Sequence, residues 1–146
     1  MSGILFDTSV YISSLRKGDE SVLSLRRAAR LGSQQTQPLW LSIVVLEELL
    51  VGAVDSTSRK EFLRLEREFR SVGRLLIPDR SDWVLAGQIL SKIGSKYGFE
   101  LVGRARMIND ALIATSAARS GLIALTSNPA DYKRIAEYRR FTWEKI

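Results

Sequence analysis

The 146-residue chain contains no cysteine and no histidine. Without cysteine it has no disulfide, no thiol nucleophile and no thiolate zinc site. Without histidine it lacks the usual general base of serine and cysteine hydrolases. Long apolar runs are also missing. The longest are broken by Glu47-Glu48 or by Ser and Thr, well short of the roughly 20 residues a bilayer-spanning helix needs. Met1-Ser2-Gly3 leads straight into a strand-like run with no signal-peptide pattern, so a cytoplasmic location without membrane attachment is expected. Any chemistry in this chain falls to its carboxylates.

An apolar content of 45% and a charged content of 26% are those of an ordinary globular protein. The length suits one domain, residues 1–146, with its own core. The formal charge is +6. Arginine outnumbers lysine and falls in short groups: Arg26-Arg27-Arg30, Arg59 through Arg74, Arg104-Arg106 and Arg139-Arg140. Each group alone reads as a solvated helix face. The segment from Arg59 to Arg70 mixes both signs at helical spacing, as exposed faces do. The net balance is the stronger signal: arginine suits bidentate phosphate contact, and a basic protein gains affinity for nucleic acid by counterion release.

Apolar patterning and turn residues predict alternating strands and helices. A buried strand runs from Gly3 to Asp7, and Thr8-Ser9 cap a short helix from Val10 to Leu15. A second helix spans Glu20–Leu31 and stops at Gly32. A strand, Leu39–Ser42, leads into a helix over Ile43–Val54 carrying Glu47 and Glu48. An amphipathic helix over Ser58–Val72 turns Phe62, Leu65 and Phe69 to one face. A short strand, Leu75–Ile77, precedes a helix over Asp82–Tyr97 capped by Ser81, with Val84, Leu85, Ile89, Leu90 and Ile93 inward. Gly98–Arg106 reads as a loop. Met107–Ser120 is helical, Leu122–Thr126 a strand, Ala130–Tyr138 a helix and Phe141–Trp143 a last strand. Trp40, Trp83 and Trp143 read mostly as core. Strands separated by helices imply right-handed crossovers and a mostly parallel sheet of four to five strands, covered on both faces. Sites in such sheets form at the carboxyl ends of the strands.

Three acids lie in apolar surroundings: Asp7, Glu48 and Asp110. A buried carboxylate costs desolvation energy unless it is paired or holds a metal. Each also has a plain structural explanation. Asp7 can be a turn residue between strand and helix, with Thr8 and Ser9 as caps. Glu47 and Glu48 point about 100° apart on a helix, so only one faces a given site; either can be an exposed helix acid. Asp110 and Asp131 sit at helix starts, where free amides and the dipole stabilise an acid. Thr126, Ser127 and Asn128 are ordinary polar residues at a strand end. The joint pattern of the three acids, far apart in sequence, points to convergence on one cation.

That pattern resembles the PIN-domain nucleases, and among them the VapC-like toxins of toxin–antitoxin pairs. The resemblance rests on four ordered motifs across nearly the whole chain: Ile4-Leu5-Phe6-Asp7-Thr8-Ser9-Val10, Glu48-Leu49-Leu50-Val51-Gly52-Ala53, Asn109-Asp110-Ala111-Leu112-Ile113-Ala114, and Leu125-Thr126-Ser127-Asn128-Pro129-Ala130-Asp131-Tyr132. Many members carry an acid where this chain has Asn128. The resemblance implies a three-layer α/β/α sandwich and a ribonuclease dependent on Mg²⁺, with Mn²⁺ as the alternative. It makes Asp7 and Asp110 the leading metal ligands. Glu48 becomes a further ligand, direct or through water, or orients the nucleophile. Thr8, Ser9, Thr126 and Asn128 would support them, with Asp131 a fourth acid or a prop for the Thr126–Asn128 turn. Oxygen-only ligands suit a hard cation. It further implies an RNA substrate, a small antitoxin partner and a homodimer.

The rival from another class is a non-catalytic RNA-binding or scaffold domain of the same fold, which would bind RNA without a divalent ion. A receiver domain would want paired acids at the first strand, and a metal-dependent phosphatase an acid where Ser9 stands.

Overall fold

A computed structural model describes residues 3–16 and 37–146. The helix expected over Glu20–Leu31 and the group Arg26-Arg27-Arg30 lie outside these residues. The described elements run in chain order as β1 (Gly3–Phe6), α1 (Thr8–Arg16), β2 (Leu39–Ser42), α2 (Ile43–Gly52), α3 (Ser56–Ser71), β3 (Leu75–Leu76), α4 (Arg80–Tyr97), α5 (Phe99–Val102), α6 (Ala105–Ser120), β4 (Leu122–Thr126), α7 (Ala130–Ala136) and β5 (Trp143–Lys145).

The strands order as β3-β2-β1-β4-β5, and every pairing is parallel. Helices cover the sheet to give the three-layer α/β/α sandwich implied by the sequence. Two covered faces explain why β1, β2 and β4 read as near-continuous apolar runs. Leu5 and Ala124 are fully buried and pair directly across the centre. From β1 the chain builds outward through β2 and β3, then returns to lay β4 on the other side of β1. The switch point therefore lies between β1 and β4, where ligands enter an open parallel sheet.

Local chemistry sets the helix limits. Ser42 caps α2 by accepting from the Val44 amide at 3.2 Å. Asp55, not Ser58, opens α3, which buries the expected stripe of Phe62, Leu65 and Phe69. The cap of α4 is Asp79 rather than Ser81: Asp79 and Asp82 exchange side-chain and backbone hydrogen bonds at 2.9 Å as a capping box. The inward stripe of α4 is Asp82, Ala86, Ile89 and Ile93, with Leu85 and Leu90 flanking it. Val84 faces out, because the stripe begins at Asp82 and the helical period carries Val84 off it. The expected loop over Gly98–Arg106 contains α5, whose Phe99 ring presses on Gly94 so closely that a Cβ there would collide. Gly121, at φ 68°, ends α6 and turns the chain into β4.

At the carboxyl end of the chain, the last strand sits two residues later than expected, pairing Trp143 with Ala124. Phe141 instead packs edge-on against Tyr132, as does Trp143. Trp40 and Trp143 flank the core as expected; Trp83 is exposed on the first turn of α4.

Asp82 is buried, and its charge is balanced from α6. Arg119 Nε lies 2.9 Å from Asp82 and 3.2 Å from Asp79, while its Nη2 donates to the Ile77 carbonyl at 3.1 Å. Removing one partner of a buried pair strands the other charge. Arg119 is partly exposed, so solvent reduces the cost. Arg119→Ala is expected to destabilise the fold by about 2 kcal/mol in denaturant unfolding, whereas a change within a few tenths would show that Asp82 finds water instead.

Candidate active site

The acids converge on the switch point. Asp7 follows β1, and its amide donates to the Leu125 carbonyl of β4 at 2.9 Å, which pins the two strand ends together. Thr8 and Ser9 do not precede α1 as caps; they form its first turn, and Asp7 accepts from the Val10 amide at 3.4 Å. The Ser9 hydroxyl donates to Asp7, lies 3.3 Å from the Thr126 hydroxyl and accepts from the Ser127 amide at 3.0 Å. Thr126 in turn closes the turn after β4 through the Asn128 amide, at 3.0 Å. One hydrogen-bonded strap thus links both strand ends to Asp7.

Glu48 arrives from α2. The Thr8 hydroxyl donates to it at 2.6 Å. Glu48 is half-buried and lines the cavity, whereas Glu47 is exposed and receives the Asn109 amide at 3.3 Å. The adjacent glutamates therefore divide as helical geometry requires.

Asp110 comes from α6. That helix begins at Ala105, two residues earlier than expected, so Asp110 lies beyond the first turn and its free amides. The structural explanation of Asp110 as an N-terminal helix acid accordingly fails. Asp131 does occupy the first turn of α7, and it pairs with Arg134 at 3.2 Å.

Together Asp7, Thr8, Ser9, Glu48, Asp110, Ser127 and Asn128 line one open cavity of about 520 Å³. Thr126 is buried beneath it, and Asp131 lines a smaller cavity alongside. Burial raises the Asp7 carboxyl above its ordinary range, against the lowering effect of the Ser9 and Thr126 hydroxyls and the Val10 and Ser9 amides. Burial also raises Glu48, opposed by Thr8 and Asn109 and reinforced by the charges of Glu47 and Asp7. Asp110 is pushed up to about 9, first by burial and then by repulsion from Asp7, Asp131 and Glu48. Among the described residues, none of the three makes a salt bridge.

This arrangement suits a hard cation. The donors are all oxygens, and among the described residues the acids repel one another with no basic partner in an ion pair. The described acids are not spaced as a ready-made three-ligand cage. Mg²⁺ does not need one, since it keeps several waters and takes one or two carboxylates.

Arg106, read from the sequence only as part of a basic group, is a cavity residue. It lines the same cavity, and with the Asn128 amide turned so that its oxygen faces the guanidinium, Asn128 accepts from both Nη atoms, Nη1 at 3.0 Å. The signal was present: Arg106 precedes Asp110 by four residues, one helical turn on the same face.

A family model for the PIN domain matches residues 4–138. The chain belongs to the PIN domain family. No curated protein shows significant similarity to it. The PIN fold is also that of solved structures spanning almost the same length. DNA-bound VapBC from Salmonella typhimurium matches with 22% identity and a TM-score of 0.65 over 99% of this chain and 98% of that one. VapBC2 from Rickettsia felis, bound to a promoter DNA fragment, matches with 18% identity and a TM-score of 0.65 over 100% and 99%. VapBC-5 from Mycobacterium tuberculosis, of the VapBC family of toxin–antitoxin systems, matches with 24% identity and a TM-score of 0.51 over 99% and 97%. Among the described residues, this PIN chain has no helix long and apolar enough to cross a membrane.

Proposed function

We propose that the protein is a Mg²⁺-dependent endoribonuclease, with Mn²⁺ able to substitute, acting as the toxin of a VapBC-like pair. The observation that carries this reading is Asp110, buried among the like charges of Asp7, Asp131 and Glu48 and, among the described residues, without an ion pair. Asp7 and Asp110 would hold the metal, and Glu48 would face the same cation or its water. When bound, the metal lowers the pKa of a water and offsets charge developing on the phosphate.

The chain's own residues supply the rest. Ser9 and Thr126 fix the Asp7 carboxylate against the end of β4. Thr8 holds Glu48, whose raised pKa suits it to take the proton of the attacking water. The water oxygen would bond to phosphorus as the bond from phosphorus to the leaving ribose oxygen breaks, that oxygen taking a proton from solvent. Histidine is not required at any step. Asn128, with its amide oxygen turned toward Arg106, would bring no charge to the metal. Asp131 is engaged by Arg134, so it serves as a prop at the cavity edge.

A small antitoxin partner and self-association into a homodimer belong to the same proposal. The toxin–antitoxin context of the solved VapBC structures supports the first. For the second, exposed Ile77, Trp83 and Val84 offer apolar area that a second copy can cover.

Incubating the purified chain with a labelled single-stranded RNA and the matching DNA tests the reading. RNA cleavage with Mg²⁺ and none with a chelator is expected. Binding of RNA without cleavage in any divalent ion would leave the scaffold reading instead.

A further inference from the structure

We propose that the smaller cavity beside the acidic one binds the RNA backbone phosphate next to the one being cut, with Arg106 spanning both. This rests on the reading of the acidic cavity as a phosphodiesterase centre. The smaller cavity, about 240 Å³, is lined by Arg104, Arg106, Asn128, Asp131 and Arg134 among others. It shares Arg106 and Asn128 with the acidic cavity, so the two are parts of one trench divided by that pair. One side carries three carboxylates. The other carries three guanidiniums against a single carboxylate, and so is net positive.

The basic side is organised. Asp131 holds Arg134 at 3.2 Å, and the Arg134 guanidinium lies over the Tyr97 ring, 5.4 Å from its centroid. With its amide turned, the Asn128 oxygen faces the Arg106 guanidinium and can accept from it. A neutral acceptor at position 128 fixes the guanidinium and leaves its full charge available for phosphate. An aspartate there would fix it equally well but add a fourth negative charge to the acidic cavity, which an incoming phosphate would have to approach. The departure at Asn128 thereby acquires a physical role: it trades a fourth acid for a charged arginine at the rim.

A phosphodiester strand fits this polarity. Each phosphate gripped by arginine releases counterions, so affinity falls with salt in proportion to the number of contacts. Arg104 and Arg134 supply the neighbouring phosphate's site, and Arg106, with its planar fork, is shared with the scissile phosphate.

The test is fluorescence anisotropy of a labelled single-stranded RNA in chelator across a salt series, where no cleavage confounds binding. Arg106→Ala is expected to weaken binding about three- to tenfold at ~0.1 M salt and to lower the slope of log K against log salt by about one. The Arg104→Ala/Arg134→Ala pair is expected to lower it by one to two. Arg106→Lys should restore the slope, while Asn128→Asp should reduce it as Arg106→Ala does. Arg67→Ala, on the exposed face of α3, controls for general basicity. Equal losses in Arg67→Ala and Arg106→Ala, unchanged slopes, or no RNA binding by the wild type would each overturn the proposal. Because binding is read without metal, a wild type that binds with these slopes but never cuts would sink the nuclease reading and leave the phosphate site standing.

Discussion

Asp110→Asn is expected to abolish cleavage and, in the same protein, to raise the melting temperature of the metal-free form. The two effects have one cause. Asp110 is buried, and its carboxyl is held at about 9 by desolvation and by the charges of Asp7, Asp131 and Glu48. At neutral pH the metal-free fold must either keep a proton there or tolerate an unbalanced charge; both cost stability. Asparagine keeps the shape and removes the titration. Each pKa unit corresponds to about 1.36 kcal/mol, and neighbouring acids recover part of the difference by shifting in turn. A gain of about 2–3 kcal/mol, or on the order of 5–10 °C, is expected in thermal unfolding with chelator. Activity moves the other way. Loss of a residue that merely supports a metal ligand costs roughly 10–100-fold, and loss of the ligand itself should exceed that. Stability gained with function lost marks a site whose residues are arranged against the preference of the empty fold.

The metal-free protein is expected to lose stability as pH rises from about 5 to 9, and Mg²⁺ to restore most at the alkaline end. In the unfolded chain Asp110 gives up its proton near 3.8; in the fold it keeps it to about 9. Across that interval the folded state binds more protons, so unfolding becomes easier with each pH unit, by about 1.4 kcal/mol for that one proton. Asp7 and Glu48 are shifted in the same direction and add to the effect at its acidic end. The lowered carboxyls of Asp55, Asp79 and Glu137 act oppositely, but their changes fall in the acid range below this window. Mg²⁺ binds the deprotonated acids, so its stabilisation grows with pH and with its concentration. Melting curves at about pH 5.5 and 8.5, each with chelator and with millimolar Mg²⁺, measure this. A flat chelator series, or an Mg²⁺ effect equal at both pH values, would mean that Asp110 is neither buried enough nor coupled enough to act as described.

Much of the fold was legible because parallel strands covered on both faces leave plain apolar runs. Ile4 to Phe6, Leu39 to Leu41 and Leu122 to Leu125 could hardly be anything else. Strand order was not legible, since no local pattern records that β4 lies beside β1. Helix starts moved for a definite reason. Asp55 and Asp79 outcompete the nearby serines as caps because a carboxylate can satisfy amides as a charged acceptor. That shift also hid the Asp82–Arg119 pair, whose partners are 37 residues apart and which no periodicity announces.

At the site, the three acids stood out against apolar neighbours, and the structure gathers Asp7, Glu48 and Asp110 around one cavity. The true start of α6 was less visible. Ala105 and Arg106 follow a stretch with glycines at 98 and 103 that reads as loop. Extending the helix by two residues removes Asp110 from its first turn and places Arg106 one turn before it. That single boundary makes a dipole-stabilised acid into a desolvated one, and sets the exposed Arg106 on the cavity wall.

The most direct measurement is the rate of RNA cleavage across an Mg²⁺ titration, for the wild type and Asp110→Asn side by side. The expected result is a saturable rise from no detectable activity in chelator for the wild type, and no rise for the variant. Wild-type cleavage that persists in chelator, or a variant that follows the wild-type curve, would contradict the claim that these carboxylates form a metal-dependent nuclease centre.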